Sequence, residues 1–303
     1  MGPLFFTGAS GFIGRRLLAA LPPAAAEVRL LSRHPEGLTA AGPLSPGWRM
    51  VAGDLAAPGG WEAALAGCET VLHLAAATGK ARPRTLAAVN RDGTERLLRA
   101  AGAAGVRRII LVSSIAAGFT DRRYYPYAET KQQAEGLVLG SALDALVVRP
   151  TTVFGPGSPT LRGLRALATA PVAVCFGNGR VTLQPIHVDD LVELLARALG
   201  LATLGGRIVD AGGPERLSME ALLRRIRRAW TARDGPLVHL PAAPVRHLLA
   251  LLEPALFPLL PLTAGQLASF VNEGTARPDP LVAQLHAPSR GIDAMIAPES
   301  ARG

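Results

Sequence analysis

The amino-acid sequence predicts an α/β fold in which helices cover both faces of a parallel β-sheet, a doubly wound sheet. Three observations lead to this prediction. Short apolar runs recur through the first half of the 303 residues, they do not alternate apolar with polar positions, and helical patterns separate them. Strands that are buried on both faces of a parallel sheet have this continuous apolar character. Strand–helix alternation then joins parallel strands through right-handed crossovers.

The predicted elements alternate regularly up to residue 150. Strands are predicted at residues 4–7, 28–32, 49–51, 70–74, 109–112 and 145–149. Helices are predicted between them at residues 11–21, 61–66, 86–103 and 126–140. Beyond this point the prediction is a glycine- and proline-rich loop (151–160), a helix (188–199), a strand near 208–210 and a helix (218–230). Ser218 can cap the last of these helices.

The composition indicates a globular protein. Hydrophobic residues make up 49% of the chain and charged residues 18%, which separates it from disordered proteins. The net charge of +9 comes with no nucleic-acid-binding motif, so we expect no nucleic-acid partner. The two cysteines form neither a disulfide framework nor a metal site and fit a reducing compartment. The first strand begins near residue 3, which leaves no room for a signal peptide, so we expect a cytoplasmic protein.

The most apolar stretch of the chain, residues 248–262, is predicted not to cross a membrane. A helical span needs about 20 apolar residues. This stretch is shorter and contains Glu253, Pro254, Pro258 and Pro261. We predict a buried, proline-broken segment of the core, and the alternatives are the lining of an apolar pocket or contact with a membrane surface.

Three glycines after the first predicted strand indicate a dinucleotide-binding turn. Residues 4–14 read LFFTGASGFIG, in which Gly8, Gly11 and Gly14 lie between a strand and a helix. Glycine permits the tight turn, the approach of backbone N–H groups to a pyrophosphate and the close packing of the helix on the strand. The N-terminus of the helix adds unpaired donors and a partial positive charge.

The end of the second predicted strand indicates which nicotinamide nucleotide binds. It carries Ser32 and Arg33 and no carboxylate. An arginine suits a 2′-phosphate, whereas an acidic residue would bind the ribose 2′-hydroxyl. We therefore predict NADP, and NAD is the alternative because Glu36 is close enough to serve it. After the third strand, Asp54 can accept a hydrogen bond from the adenine amino group or cap a helix.

A tyrosine and a lysine one helical turn apart are the candidate catalytic pair. The chain has three tyrosines, all within residues 124–127, and only two lysines. On a helix over residues 126–140, Tyr127 and Lys131 share one face. A free phenol has a pKa of about 10, and a neighbouring ammonium is expected to lower that pKa towards neutrality. The lysine also has donors for the hydroxyls of a nicotinamide ribose.

A serine completes the candidate catalytic set. The strand at residues 109–112 is followed by Ser113 and Ser114, and ligands of open parallel sheets bind beyond the carboxyl ends of the strands. The Ser114 hydroxyl is therefore predicted to hydrogen-bond a carbonyl or alkoxide oxygen of the substrate. Tyr124 and Tyr125, which have no lysine four residues on, are predicted to form the pocket wall.

Several collinear motifs in the first 190 residues resemble the short-chain dehydrogenase/reductase superfamily, in its extended or a closely related atypical branch, the NAD-dependent epimerase/dehydratase family. They are TGASGFIG (7–14), GDL (53–55), HLAA (73–76), NRDGTERLLRAA (90–101), GVRRIILVSS (105–114), YAETK (127–131), RPTTVFGPG (149–157) and PIHVDDL (185–191). The resemblance implies a Rossmann-type sheet with a small C-terminal substrate-binding lobe. Residues 1–150 would form the NAD(P)-binding domain and residues 151–303 the lobe, of which about 180–215 would return to the sheet.

The same resemblance implies a role for each site residue. Tyr127 would act as the acid/base, Lys131 would hold the ribose and Ser114 would bind the substrate oxygen. Asn90 would lie near the active site, or alternatively begin a helix. The implied cofactor contacts are Gly8, Ser10, Gly11, Phe12, Ile13, Gly14, Ser32, Arg33, Asp54, Leu55, Leu74, Ala75, Ala76, Tyr127, Lys131 and Pro150.

Three features depart from the sugar-nucleotide members of the family. Ser114 and Tyr127 are only thirteen residues apart, Leu183 stands where many members carry an arginine, and the C-terminal part is apolar and proline-rich. The segments FGNGRVTLQPIHVDD (176–190) and PLTAGQL (261–267) are similar to the reductase-like accessory subunit of respiratory complex I and its bacterial relatives.

Together these observations predict an NAD(P)-dependent oxidoreductase that acts on the alcohol or carbonyl group of a small molecule, and the apolar C-terminal part suits an apolar one. The first alternative is an epimerase or dehydratase, which oxidises and reduces its nucleotide within one cycle. The second is an NADPH-binding accessory or assembly protein without turnover.

Overall fold

A computed structural model describes residues 2–21, 27–39 and 45–298 of the protein. The strands in these ranges are β1 (Leu4–Thr7), β2 (Val28–Ser32), β3 (Trp48–Ala52), β4 (Thr70–His73), β5 (Arg108–Val112), β6 (Asp144–Pro150), β7 (Val153–Phe154), β8 (Ala173–Phe176), β9 (Thr182–Leu183), β10 (Ile186–His187), β11 (Arg207–Ala211), β12 (Leu217–Ser218) and β13 (Leu237–Leu240). The α-helices are α1 (Phe12–Ala20), α2 (Glu36–Thr39), α3 (Pro83–Leu86), α4 (Gly93–Ala103), α5 (Pro126–Leu139), α6 (Pro159–Thr169), α7 (Val188–Leu199), α8 (Met219–Thr231), α9 (Ala242–Leu256), α10 (Pro280–Leu285) and α11 (Ile292–Ile296).

A seven-stranded parallel sheet lies at the centre, in the order β11-β6-β5-β4-β1-β2-β3. The predicted doubly wound α/β fold is confirmed, and each strand predicted before residue 150 is present with its ends within one residue. The strand order reverses beside β1, because β2 follows on one side and β4 on the other. Ligands of such sheets bind in the crevice that this reversal opens at the carboxyl ends of the strands.

Successive side chains of each strand enter different cores, which explains why the strands are apolar throughout. In β1, Leu4 and Phe6 join the core that α1 and α7 cover, whereas Phe5 joins the core under α4 and α5. A third core lies in the C-terminal lobe, where Leu222 and Leu223 of α8 pack with other buried residues. The elements β10, α7 and β11 belong with the first core, so part of the chain after residue 180 packs against the sheet.

Two predicted helices have a different local geometry. The segment Trp61–Leu65 is a 3₁₀-helix, bounded by Gly60 and Gly67, which both adopt positive φ. The helix predicted over residues 86–103 consists of α3, a π-helical turn (Ala87–Asp92) and α4 in direct succession. Asn90 lies inside the π-helical turn, so the alternative in which it begins a helix is wrong. Single π-turns occur frequently at functional sites.

The apolar stretch at residues 248–262 is not a buried core segment, and that prediction is wrong. Leu249 is buried, but Leu251 and Leu259 are 77% and 80% exposed. The helix α9 is apolar on both faces, and only one of them packs against the lobe. Among the described residues, no helix has the length and apolar character needed to cross a bilayer.

Candidate active site at the carboxyl ends of the strands

The glycine turn after β1 packs directly against the loop after β4. Gly8 has a φ of +82°, and a Cβ on it would lie 2.4 Å from the backbone nitrogen of Ala75. A Cβ on Gly14 would lie 2.2 Å from the carbonyl oxygen of Gly8. Close packing therefore excludes a side chain at both Gly8 and Gly14. At Gly8 the positive φ excludes one as well.

The start of α1 offers backbone donors that fit an anionic group. The helix begins after Gly11, which is exposed, and no side chain in the described part of the chain caps it. The first N–H groups of a helix have no partner within the helix, and the helix dipole favours an anion there. Phe12 and Ile13 are half-buried against the core. Ser10 is exposed, and its carbonyl oxygen accepts a hydrogen bond from the Arg15 guanidinium. This cradle fits the pyrophosphate of a dinucleotide.

The predicted adenosine-binding residues lie at the ends of β2 and β3. Ser32 is buried and its Oγ accepts a hydrogen bond from the His34 backbone at 3.2 Å, whereas Arg33 is exposed. Asp54 follows β3, and its Oδ1 accepts a hydrogen bond from the Ala56 backbone at 2.9 Å. The carboxylate of Asp54 thus stabilises the local turn and keeps its second oxygen for other donors.

Leu55 differs from its neighbours, because its side chain is buried in the core under α4 and α5. Its carbonyl oxygen accepts a hydrogen bond from Arg96. The side chain and the carbonyl of Leu55 therefore both have protein partners.

The loop after β4 is bonded to the end of β1. The backbone nitrogens of Leu74 and Ala75 donate to the carbonyl and the hydroxyl of Thr7, at 3.0 and 3.3 Å. Leu74, Ala75 and Ala76 are all half-buried beside the glycine turn. Pro150 is buried at the end of β6, where it pairs with Ala211 of β11. The structure thus brings these residues to the same edge of the sheet as Gly8.

Helix α5 places Tyr127 against Ser114. The helix begins at Pro126, and Ser114 follows β5 and caps a 3₁₀ turn, its Oγ accepting from the Ala116 backbone at 3.2 Å. Burial raises the pKa of the Tyr127 phenol, and a side-chain hydrogen bond with Ser114 acts in the opposite direction. The negative charge of Glu135 raises the pKa further.

Lys131 is buried one turn after Tyr127. Its Nζ donates a hydrogen bond to the carbonyl oxygen of Val112 at 2.8 Å, at the end of β5. Burial lowers the pKa of Lys131 to about 8, although the carboxylate of Glu135 acts to raise it. The predicted lowering of the phenol pKa does not occur in this structure, because desolvation of the phenolate dominates.

Sequence reasoning missed a buried ion pair next to this pair. Glu135 accepts hydrogen bonds from the guanidinium of Arg149, at 2.8 and 2.5 Å, and from the Ser113 hydroxyl at 2.5 Å. The position of Glu135 could be recognised from the sequence, because residues 127, 131 and 135 lie on one helix face. The arginine partner comes from β6, and no local pattern connects it with α5.

A chain of buried polar groups joins β1 to α4. Thr94 donates its hydroxyl to the Asn90 carbonyl at 2.6 Å, so its oxygen is free to accept from His73 Nε2 at 2.9 Å. His73 Nδ1 then accepts from the Thr7 hydroxyl at 2.7 Å. Burial, together with the charge of Lys131, lowers the pKa of His73 to about 3, so the ring is neutral.

Asn90 extends this chain to α5. Its side-chain oxygen accepts from the Ala77 backbone at 2.8 Å, and its side-chain nitrogen donates to Thr130 at 3.2 Å. Thr130 in turn donates to the carbonyl of Tyr127 at 3.0 Å. The π-helical turn thus fixes the loop after β4 relative to α5.

The C-terminal lobe contacts residues 121–127, the segment that carries the three tyrosines. The rings of Tyr125 and Tyr127 lie 5.7 Å apart, and Tyr124 has a φ of 60°. Gly265 of the lobe packs so closely that a Cβ would lie 2.7 Å from the Tyr125 ring. The buried Arg246 of α9 donates to the carboxylate of Asp121 at 2.8 Å.

Comparison with protein families agrees with this geometry. The profile of the NAD dependent epimerase/dehydratase family matches residues 4–212, which include β1 to β11 and the candidate residues. The chain belongs to this family. The prediction of a nicotinamide-dependent enzyme is confirmed at the level of the family, whose members include epimerases, dehydratases and reductases.

Two curated relatives of the chain are named as a reductase and a dehydrogenase. The chain is 36% identical over 214 residues to the ceramide reductase of Caulobacter vibrioides. This alignment covers 67% of this chain and 63% of that protein. It is 31% identical over 222 residues to a 3 beta-hydroxysteroid dehydrogenase/Delta 5-->4-isomerase of Mycobacterium tuberculosis, covering 64% and 59%. The chain thus aligns with less than two thirds of the length of either relative.

Solved structures share the fold over most of the chain. The structure named gox2253 has 28% identity and a TM-score of 0.74, covering 97% of this chain and 95% of that one. MoeE5 in complex with UDP-glucose and NAD has 27% identity and a TM-score of 0.64, covering 79% and 85%. The similarity to the complex I accessory subunit receives no support from these family members.

Proposed function

We propose that the protein is an NADP-dependent oxidoreductase that interconverts an alcohol and a carbonyl group on an apolar small molecule. The observation that carries the proposal is the meeting of Ser114, Tyr127 and Lys131 at the end of β5, on the same carboxyl edge of the sheet as the glycine turn. A bound nicotinamide would supply or accept the hydride. The names of the ceramide and steroid relatives support an apolar substrate.

Each of the three side chains has a definite task in this proposal. Tyr127 would transfer the proton at the substrate oxygen, and Ser114 would hold that oxygen by a hydrogen bond. Lys131, whose pKa is about 8, carries its proton at neutral pH and would bind the ribose hydroxyls. The Tyr127 phenol would need its pKa lowered by the charges that the ligands bring or rearrange, since burial raises it in this structure.

The choice of NADP rests on the end of β2. Arg33 is exposed there, no carboxylate stands at the tip of the strand, and both features suit a 2′-phosphate. Arg33→Ala should weaken NADPH binding by roughly tenfold or more, because hydrogen bonds to charged groups contribute about 1.5–3 kcal/mol. Arg99→Ala on α4 is the matched control, since Arg99 is also exposed. Equal affinity of the Arg33 variant for NADPH would remove Arg33 from the argument for NADP and leave NAD, the nucleotide bound by MoeE5, as the alternative.

Tyr127→Phe tests the reaction itself. We expect the variant to bind NADPH as the wild type does and to lose turnover with a panel of apolar ketones and alcohols. Tyr125→Phe is the control, because that ring is half-buried like the ring of Tyr127 and lies 5.7 Å from it. Unchanged turnover in the Tyr127 variant would remove this residue from the mechanism.

The same samples distinguish the alternative functions. An epimerase or dehydratase would convert its substrate without net consumption of NADPH. An accessory protein would retain stoichiometric NADPH that no oxidising substrate discharges. The two cysteines are buried free thiols, which supports a reducing compartment such as the cytoplasm as the place of the reaction.

A further inference from the structure

Helix α9 and the turn after it present a second apolar face, away from the core. On the inner side, Leu249 is buried against the lobe. On the outer side, Leu248 and Leu251 of the helix are 56% and 77% exposed, and Leu259 of the following turn is 80% exposed. A helix that is apolar all round is normally covered on every side, and contiguous exposed apolar patches mark interaction sites. We call residues 248–259 on this side the outer face of α9.

Two basic residues border the outer face. Lys80 and Arg82, in the loop after β4, lie over the ring of Phe257 at 5.4 and 4.8 Å from its centroid. Between residues 242 and 262 the single carboxylate is that of Glu253. It is half-buried, and its Oε1 accepts a hydrogen bond from the Ala264 backbone at 2.5 Å. The apolar surface is thus bordered by cations and not by an exposed acidic group of its own segment.

We propose that the outer face of α9 docks onto the surface of an anionic phospholipid bilayer, with the helix lying in the plane of the interface. Such a surface offers an apolar phase for the leucines and phosphate groups for Arg82 and Lys80. The Lys80 ammonium donates two hydrogen bonds to the carbonyls of Pro258 and Leu260 and keeps its third N–H for a phosphate. A second copy of the chain is a poorer occupant. Two-fold pairing on this face would bring the same basic residues of both copies together.

The docking face is coupled to the candidate active site. Arg246 on α9 donates to the carboxylate of Asp121 and, at 2.6 Å, to the carbonyl of Arg123, in the segment just before Tyr127. Docking would therefore hold the substrate side of the lobe close to the membrane, where apolar molecules concentrate. The inference goes beyond the proposed reaction, and vesicle binding tests it without any turnover.

Co-sedimentation with vesicles tests the docking. The probes are vesicles of phosphatidylcholine alone and of phosphatidylcholine mixed with phosphatidylglycerol. We expect the wild type to sediment with the mixed vesicles, and the double variant Leu251→Glu, Leu259→Glu to lose at least about tenfold in partitioning, because two side chains would leave the apolar phase. Arg82→Gln should lose roughly fivefold on mixed vesicles only, as expected for one basic group at an anionic surface.

A matched control and a second measurement make the test specific. Val172→Glu changes an apolar residue that is 45% exposed outside the outer face, and we expect it to bind like the wild type. Leu251→Trp should show fluorescence quenching by brominated lipids. A wild type that stays in the supernatant with mixed vesicles would overturn the proposal, and so would equal losses for the Val172 variant. A wild-type dimer in analytical ultracentrifugation that the double variant converts to a monomer, without vesicle binding, would assign the face to a second copy.

Discussion

Replacing Lys131 by methionine should stabilise the protein while it removes activity. The pKa of Lys131 is about 8 in the folded protein, against 10.5 for the ordinary group. A difference of this size means that burying the ammonium costs roughly 3 kcal/mol at neutral pH. The substitution also removes the hydrogen bond to Val112, which contributes about 1 kcal/mol. We therefore expect a net gain of about 2 kcal/mol in the free energy of unfolding.

The gain should depend on pH in a defined direction. The cost of burying the charged lysine is fully present below pH 8 and disappears as the pH rises from about 8 to 10.5. Urea denaturation at about pH 7 and about pH 10 should thus show the gain of the Lys131 variant at the lower pH and little or none at the higher. Lys80→Met, which changes an exposed lysine, is the control and should show no such gain. A destabilised Lys131 variant at neutral pH, or a gain that is the same at both pH values, would refute the argument.

Three further predictions concern the buried groups around the site. The pKa of His73 is about 3 in the folded protein, below its ordinary value of 6.5. The free energy of unfolding should therefore fall as the pH drops from 6.5 towards 3. In a urea-denaturation series, His73→Gln should remove roughly 4–5 kcal/mol of that fall. Glu135→Gln should cost about 3–5 kcal/mol in urea denaturation because the Arg149 charge loses its buried partner, and adding Arg149→Met should recover part of the loss. Gly8→Ala should abolish nucleotide binding measured by NADPH fluorescence, because its Cβ would meet backbone, whereas Gly60→Ala, at a similar φ of +78° with no described atom within 4 Å, should cost only about 1 kcal/mol and bind normally.

The local chemistry of the chain was sufficient to predict the central sheet and to select the candidate residues. Apolar runs without alternation located the strands, since burial on both faces leaves that pattern in a single segment. The spacing of Tyr127 and Lys131 placed them on one helix face, because the period of a helix is fixed. Gly8 was recognisable for the same kind of reason, since a strand before it and a helix after it demand a tight turn.

Only the tertiary structure decided what surrounds those residues. The pairing of Glu135 with Arg149 joins α5 to β6, and the direction of the phenol pKa follows from how deeply the folded chain encloses Tyr127. Leu251 was predicted to be buried and is exposed. The apolar sequence of a segment does not show whether another element of the fold packs against it. Sequence pattern thus determined the geometry within each segment, while burial and charge environment depend on which distant segments meet.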